Sequence, residues 1–368
     1  MRALVVNAGS SSVKLRLLGD GDELLATRDL EPGAPDAAVA ALTELGAHAD
    51  AVGHRVVHGG ERFVEAVRVD GGVLGAVRRL GVLAPLHQPL AVTLAASAMR
   101  VLPTVPSIAC FDTAFHATLP PAARTYALPR EWRDGLGIRR YGFHGLSHAH
   151  VARRTAALVG AAACSRLVSC HLGAGASLAA VRDGASVDTT MGFTPLEGLV
   201  MATRSGTVDP GALLWLTVHA GLPAAEVLDA LERRSGLAGL CGTGDLREVR
   251  RRAAAGDEDA MLALEVHALK LVQGIAAMVA SLGGVDAVAF TGGAGEHDTA
   301  LRSDVARRLA HLGIAVDEDR NAATGDREIG VEGAGVRAVV VEAREDLEIA
   351  RQVRAVLGAA IAPAPPPA

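Results

Sequence analysis

Twice in this chain an apolar, strand-like run breaks into small residues directly after a polar side chain. The first is Leu4-Val5-Val6-Asn7-Ala8-Gly9-Ser10-Ser11-Ser12-Val13-Lys14, and the second is Leu167-Val168-Ser169-Cys170-His171-Leu172-Gly173-Ala174-Gly175-Ala176-Ser177-Leu178. A turn without bulky side chains lets backbone N–H groups approach and cradle an anion. Two such turns on two similar halves can hold a polyphosphate from both sides, which predicts a two-domain enzyme of phosphoryl transfer.

A chain of 368 residues fits two domains. With 50% hydrophobic residues but only 3% aromatics, the core is built from Ala, Val and Leu, which suits α/β layers. The net charge of −5 and pI near 6.2 argue against a general nucleic-acid partner. Cys110, Cys164, Cys170 and Cys241 have no CxxC spacing, so neither a zinc site nor a disulfide framework is expected, and a reducing cytoplasm is the simplest home. The N-terminal run Ala3–Val6 is too short for a signal peptide. The apolar stretch 262–285 is interrupted by Glu265, His267 and Lys270 and reads as a buried helix, so no membrane partner is expected.

Ala3–Val6 and Val13–Leu18 are expected to form a hairpin. An Ala-rich helix follows within 31–50, then a strand over 51–57, a helix over 90–99 and a strand over 107–111 that ends at Asp112. A similar alternation restarts at His148 and runs through a hairpin at 167–182. A third glycine turn, Thr291–Glu296, follows the strand 287–290, and the strand 336–341 leads into a final helix of about twelve residues. The proline tail from Ala362 cannot hold regular structure. These signals predict an α/β fold with domains at 1–112 plus 347–368 and at 113–346, and with ligands beyond the carboxyl ends of the strands.

Asn7, Ser10, Ser12 and Lys14 offer hydroxyls, amides and one ammonium to phosphate oxygens, or else form an ordinary polar hairpin. No Walker loop is present. Arg55 and Arg204, both in glycine- and turn-rich surroundings, can grip carboxylate or phosphate bidentately or make structural salt bridges. Asp112, at a strand end, can orient a nucleophile, hold magnesium or cap a helix. His144, between Phe143 and Gly145, can stabilise a transferring phosphoryl group or pack a helix start, and its i,i+4 spacing to His148 lacks the glutamate of a zinc protease.

Taken together and in order, NAGSSSVK (7–14), GHRVVHGGE (53–61), APLHQP (84–89), FDTAFH (111–116), YGFHGLSH (141–148), CHLGAGAS (170–177), MGFTPLEG (191–198), TRSGTVDP (203–210) and FTGGAGE (290–296) resemble the acetate kinase family. The resemblance covers nearly the whole chain apart from roughly 19–50 and the tail. It implies the duplicated, two-domain actin-like ATPase (ribonuclease H-like) fold with an active-site cleft between domains, and direct transfer of the ATP γ-phosphoryl to acetate. ATP is then the co-substrate, Mg²⁺ (or Mn²⁺) the metal, and a homodimer the assembly. Position by position, Asn7, Ser10, Ser12 and Lys14 resemble the first phosphate and metal turn, and Glu345 the glutamate that coordinates magnesium. Arg55 and Arg204 resemble the arginines on the carboxylate and phosphoryl group, Asp112 the aspartate near the acetyl group and His144 the transition-state histidine. His171, Leu172, Gly173, Ala174 and Gly175 match the second phosphate loop, and Gly292, Gly293, Ala294, Gly295 and Glu296 the adenosine loop. Val57, Leu86, Phe143 and Pro195 match the acyl pocket, with His87 near the substrate.

The chain departs from the family pattern at Ala174, Ala202, His297 and Arg344 and in the shorter segment 19–50. The competing expectations are a propionate or other short-chain acyl kinase, a pyrophosphate donor, and a non-catalytic nucleotide-binding homologue. The joint presence of Arg55, Asp112, His144, Arg204 and Glu345 argues against the last.

Overall fold

Buried runs of Val, Leu and Ala form the strands, and Ala-rich amphipathic segments form the helices that cover them. The computed structural model describes residues 1–9, 12–31, 35–85 and 88–358, so Ser10, Leu86, His87 and the proline tail lie outside the described residues. In chain order the elements are β1 Ala3–Ala8, β2 Val13–Leu18, β3 Leu24–Leu30, α1 Pro35–Gly46, β4 Ala51–Val56, β5 Val67–Arg68, α2 Gly71–Arg79, α3 Gln88–Val101 and β6 Ser107–Phe111. Then come α4 Pro121–Arg124, α5 Arg130–Leu136, α6 Gly145–Val159, β7 Arg166–Leu172, β8 Ala176–Arg182, β9 Ala185–Thr189, α7 Pro210–Val218, α8 Ala224–Arg233, α9 Gly236–Cys241 and α10 Leu246–Ala254. The chain ends with α11 Glu258–Leu282, β10 Ala287–Thr291, α12 Gly292–His297, α13 Thr299–Arg308, α14 Glu318–Ala322, β11 Arg327–Glu328, β12 Arg337–Val340 and α15 Glu345–Val356.

These elements divide into two compact units. The first comprises Met1–Ala117, Phe143–His150 and Arg344–Ala368, and the second Thr118–Gly142 and Val151–Ala343. The short segments around Phe115, His144 and Glu345, which the sequence reading assigns to the second domain at 113–346, cluster with the first unit.

Each unit holds a six-stranded sheet, ordered β3-β2-β1-β4-β6-β5 in the first and β9-β8-β7-β10-β12-β11 in the second. Every pairing has a counterpart. β1–β2 and β7–β8 are antiparallel hairpins, whereas β1–β4, β4–β6, β7–β10 and β10–β12 are parallel. The duplication foreseen from two glycine turns is therefore a duplication of topology. In the first unit α1 and α3 cover one sheet face through Leu42, Leu45, Leu94 and Ala98. α15 covers the other, inserting Ile349, Ala350 and Val353 among Val5, Ile108 and Cys110.

The sequence reading gave no strand at β3. Most of its side chains are exposed, only Ala26 and Leu30 packing against the core, and leucines stand on both faces, so this edge strand lacks the apolar alternation that marks a half-buried one. The helix α11 is long and apolar enough to cross a membrane by composition, yet Ala260, Ala263, His267, Leu271, Ile275, Met278 and Leu282 form a stripe buried inside the second unit. All four cysteines are free and buried, and burial pushes the thiols of Cys110, Cys164 and Cys170 up from their ordinary range.

Candidate active site

Parallel strands point their carboxyl ends the same way, so residues at those ends cluster however far apart they lie in sequence. In the first unit Asn7 and Arg55 lie near the ends of β1 and β4, Asp112 follows β6 and Glu345 opens α15. Arg55 grips Asp112 with a fork: Nη2 donates to Oδ2 at 2.7 Å and Nε to Oδ1 at 3.1 Å. Its Nη1 donates to Asn7 Oδ1 at 3.2 Å and lies 3.4 Å from Glu345, whose Oε2 accepts from Asn7 Nδ2 at 2.7 Å. One cation thus faces two carboxylates. Burial lifts the Asp112 carboxyl to about 6 even though Arg55 pulls it down, and the charge on Glu345 adds to the rise. Burial works against the Arg55 charge, but Asp112 and Glu345 outweigh it and raise its pKa further. Of the two uses open to Arg55 from sequence, the salt bridge is the one seen in this structure.

His144 sits beside this cluster because of how α6 begins. The Gly145 N–H donates to the Asp112 carbonyl at 3.0 Å, and a Cβ on Gly145 would lie 2.0 Å from that oxygen. This close approach holds His144 in the left-handed region, at φ 55°, which a residue with a side chain adopts at a cost. Phe143 and Val57 are both buried in the same unit, with the Phe143 ring edge-on to His58 at 5.5 Å. The Phe143 carbonyl accepts from His116 Nε2 at 3.0 Å. Lys14 is exposed on β2 opposite Asn7, and the Gly9 N–H donates to the Ser12 carbonyl at 2.9 Å to close the first turn.

The second unit brings the other two turns together. Gly173 N–H donates to the Gly175 carbonyl at 3.0 Å, folding His171–Gly175 tightly at the end of β7. Gly292, at φ 80°, lies against this turn so closely that a Cβ would sit 2.9 Å from the Leu172 carbonyl. Residues 292–297, expected as a loop, form the short helix α12, pinned by Glu296 Oε1 accepting from Gly292 N–H and Ala343 N–H at 3.0 Å each. Arg204 lies next to the turn: the Ala202 N–H donates to the Ala174 carbonyl at 3.1 Å, and the Ser235 and Ala238 amides donate to Thr203 and Ala202 at 2.9 Å. The two departures at 174 and 202 thus meet through backbone atoms, which need no side chain. Arg204 Nη1 donates to the Pro195 carbonyl at 2.9 Å.

Sequence reasoning missed Arg302 and Asn321. Arg302 is fully buried and donates to Gly295 O at 2.7 Å, Asn321 Oδ1 at 2.6 Å and Asn321 O at 2.8 Å, so it ties α12 to α14. Burial brings its pKa down to about 10, which keeps it charged near neutrality. An arginine within an ordinary helical stretch gives no signal of this. Beside it lies a cavity of about 150 Å³ lined by Glu296, His297, Arg302, Thr324, Arg327 and Glu342. Among the described residues, no group of three or more His, Cys, Asp or Glu side chains could hold a metal by itself.

The acetokinase family profile matches residues 36–351. The acetate kinase of Streptomyces avermitilis is 44% identical, covering 98% of each chain, and that of Leifsonia xyli is 45% identical, covering 95% of this chain and 97% of its own. Two solved structures resemble the fold closely. One is the acetate kinase of Porphyromonas gingivalis, with TM-score 0.88 and 34% identity over 97% of this chain and 99% of that one. The other is a propionate kinase of Francisella tularensis, with TM-score 0.89 and 34% identity over 96% and 99%. With the duplicated sheet, the paired glycine turns and full-length similarity on record, the chain has the actin-like ATPase fold and belongs to the acetokinase family.

Proposed function

We propose that this protein is an acetate kinase that moves the γ-phosphoryl group of ATP to acetate, giving acetyl phosphate and ADP. The observation that carries the reading is the cluster of Asn7, Arg55, Asp112 and Glu345 at the strand ends of one unit. In the transfer a carboxylate oxygen bonds to the γ-phosphorus as the bond to the β,γ-bridging oxygen breaks and leaves with ADP. Negative charge spreads over the equatorial oxygens, so positioning and positive charge supply most of the catalysis.

Roles divide by unit. In the first, Arg55 and Asp112 orient the acceptor carboxylate, His144 stabilises the phosphoryl oxygens, and Val57 and Phe143 receive the methyl group. In the second, Arg204 steadies the phosphoryl group, His171–Gly175 cradle the phosphates and Gly292–Glu296 border the adenosine. Lys14 and Ser12 extend the first turn toward phosphate. Asn7 and Glu345 fit Mg²⁺: they offer hard oxygen donors, and the two carboxylates facing one arginine leave a negative charge that a divalent cation compensates. When bound, the metal would neutralise charge on the phosphates.

Propionate is the second reading, favoured by equal identity to the solved propionate kinase and acetate kinase. One methylene changes transition-state binding by only about 1–3 kcal/mol. Exposed Leu214, Trp215 and Val218 on α7, with Trp132 and Leu136 on α5, support a homodimer formed through the second unit. Free, buried cysteines support a cytoplasmic protein. The test is trapping of acyl phosphate with hydroxylamine after incubation with Mg-ATP and acetate, propionate or butyrate. Hydroxamate formation, lost in His144→Ala and Arg204→Ala, is expected. No product from any acid, in folded protein, would overturn the ATP-dependent reading and call for a pyrophosphate donor.

A further inference from the structure

The segment that carries both Pro195 and Arg204 takes its shape from side chains to which the proposed chemistry gives no role. Arg140 Nη1 donates to the carbonyls of Thr189, Thr190 and Met191 at 3.1, 3.0 and 3.0 Å, and Nη2 donates to Glu197 Oε1 at 2.7 Å. The Tyr126 hydroxyl donates to Glu197 Oε2 and accepts the Phe193 N–H at 3.0 Å. Gly192 fills the angle between them: a Cβ there would lie 2.1 Å from the Tyr126 oxygen and 1.7 Å from Glu197 Oε2. Burial, then the bond to Glu197, push the Tyr126 phenol far above its ordinary range, so it remains a neutral donor.

Tyr126 therefore grips the chain at 193 by the backbone and at 197 by the side chain. Between those anchors stands Pro195, whose carbonyl holds Arg204 Nη1 at 2.9 Å. We propose that Tyr126 is a positioning residue for Arg204, fixing through Phe193 and Glu197 the carbonyl that aims the guanidinium. Tyr126 touches neither substrate nor nucleotide in this scheme. The inference rests on the reading of Arg204 given above.

The test is a double-mutant cycle in the full-length enzyme. Tyr126→Phe should lower kcat/KM for acetate by about ten-fold, the size of one lost hydrogen bond to a charged group, with KM for ATP near wild type. The protein should stay folded, its urea midpoint falling modestly because the Glu197 and Phe193 hydrogen bonds are lost. In an Arg204→Lys background, where the aimed fork is gone, adding Tyr126→Phe should cost nothing more. Losses that multiply, or Tyr126→Phe with wild-type acetate kinetics, would overturn the positioning role while leaving Arg204 in place. Wild-type kinetics for Arg204→Lys alone would instead remove the reading of Arg204 on which the role depends.

Discussion

A buried carboxyl held near the middle of the pH range is a switch on its own chemistry, and Asp112 is such a group. Above about 6 it is ionised and anchors Arg55; as pH falls through that value it takes a proton and releases the ion pair. The acid limb of kcat/KM for the free enzyme should therefore fall near pH 6, well above the ordinary aspartate range. A profile flat down to pH 4.5 would remove Asp112 from that role. Asp112→Asn should lower the rate by about 10²–10³, as for loss of one preorganised polar contact, checked by the hydroxamate assay. The residue types at this site were legible in the sequence because their motifs stand at strand ends. Their mutual pairing was not, since Asn7 and Glu345 are 338 positions apart and only the fold brings them within 2.7 Å.

At the scale of elements, the junction between β6 and α6 carries the most constraint. Gly145 lets the helix start directly against the Asp112 carbonyl, and the same contact sets the backbone of His144. Gly145→Ala should cost about 1–3 kcal/mol through overpacking and should depress activity, because relief of the clash moves both neighbours. Urea unfolding together with the assay separates the two effects; a variant with unchanged stability and rate would show that the contact is slack. The hairpins β1–β2 and β7–β8, the strands β4, β6 and β10 and the helix α15 follow from apolar runs and turn residues. β3 and the helices α7–α10 do not. β3 is largely exposed with leucines on both faces, and α7 is almost wholly apolar with no buried residue, so neither shows the alternation that sequence reading depends on.

For the whole molecule, that same α7 is informative. A helix reading PGALLWLTV leaves Leu214, Trp215 and Val218 more than half exposed, the kind of apolar patch that the proposed homodimer would cover. Leu214→Glu with Trp215→Glu should convert a dimer to a monomer in sedimentation velocity without unfolding either unit; an unchanged sedimentation coefficient would place the interface elsewhere. The duplicated sheet was foreseen because both copies kept their glycine turn. Beyond those turns, the repeat is recorded in the matched strand pairings of the two sheets.

The four buried thiols have a practical meaning for anyone who wishes to watch this enzyme at work. Cys110, Cys164, Cys170 and Cys241 are all shielded by the folded chain, and three of them hold their protons more tightly than usual. Maleimides and spin-label reagents attack thiolates they can reach, so the native protein is close to blank toward them. A single cysteine engineered on either unit could then carry a fluorophore or nitroxide without first stripping the natural ones from the core.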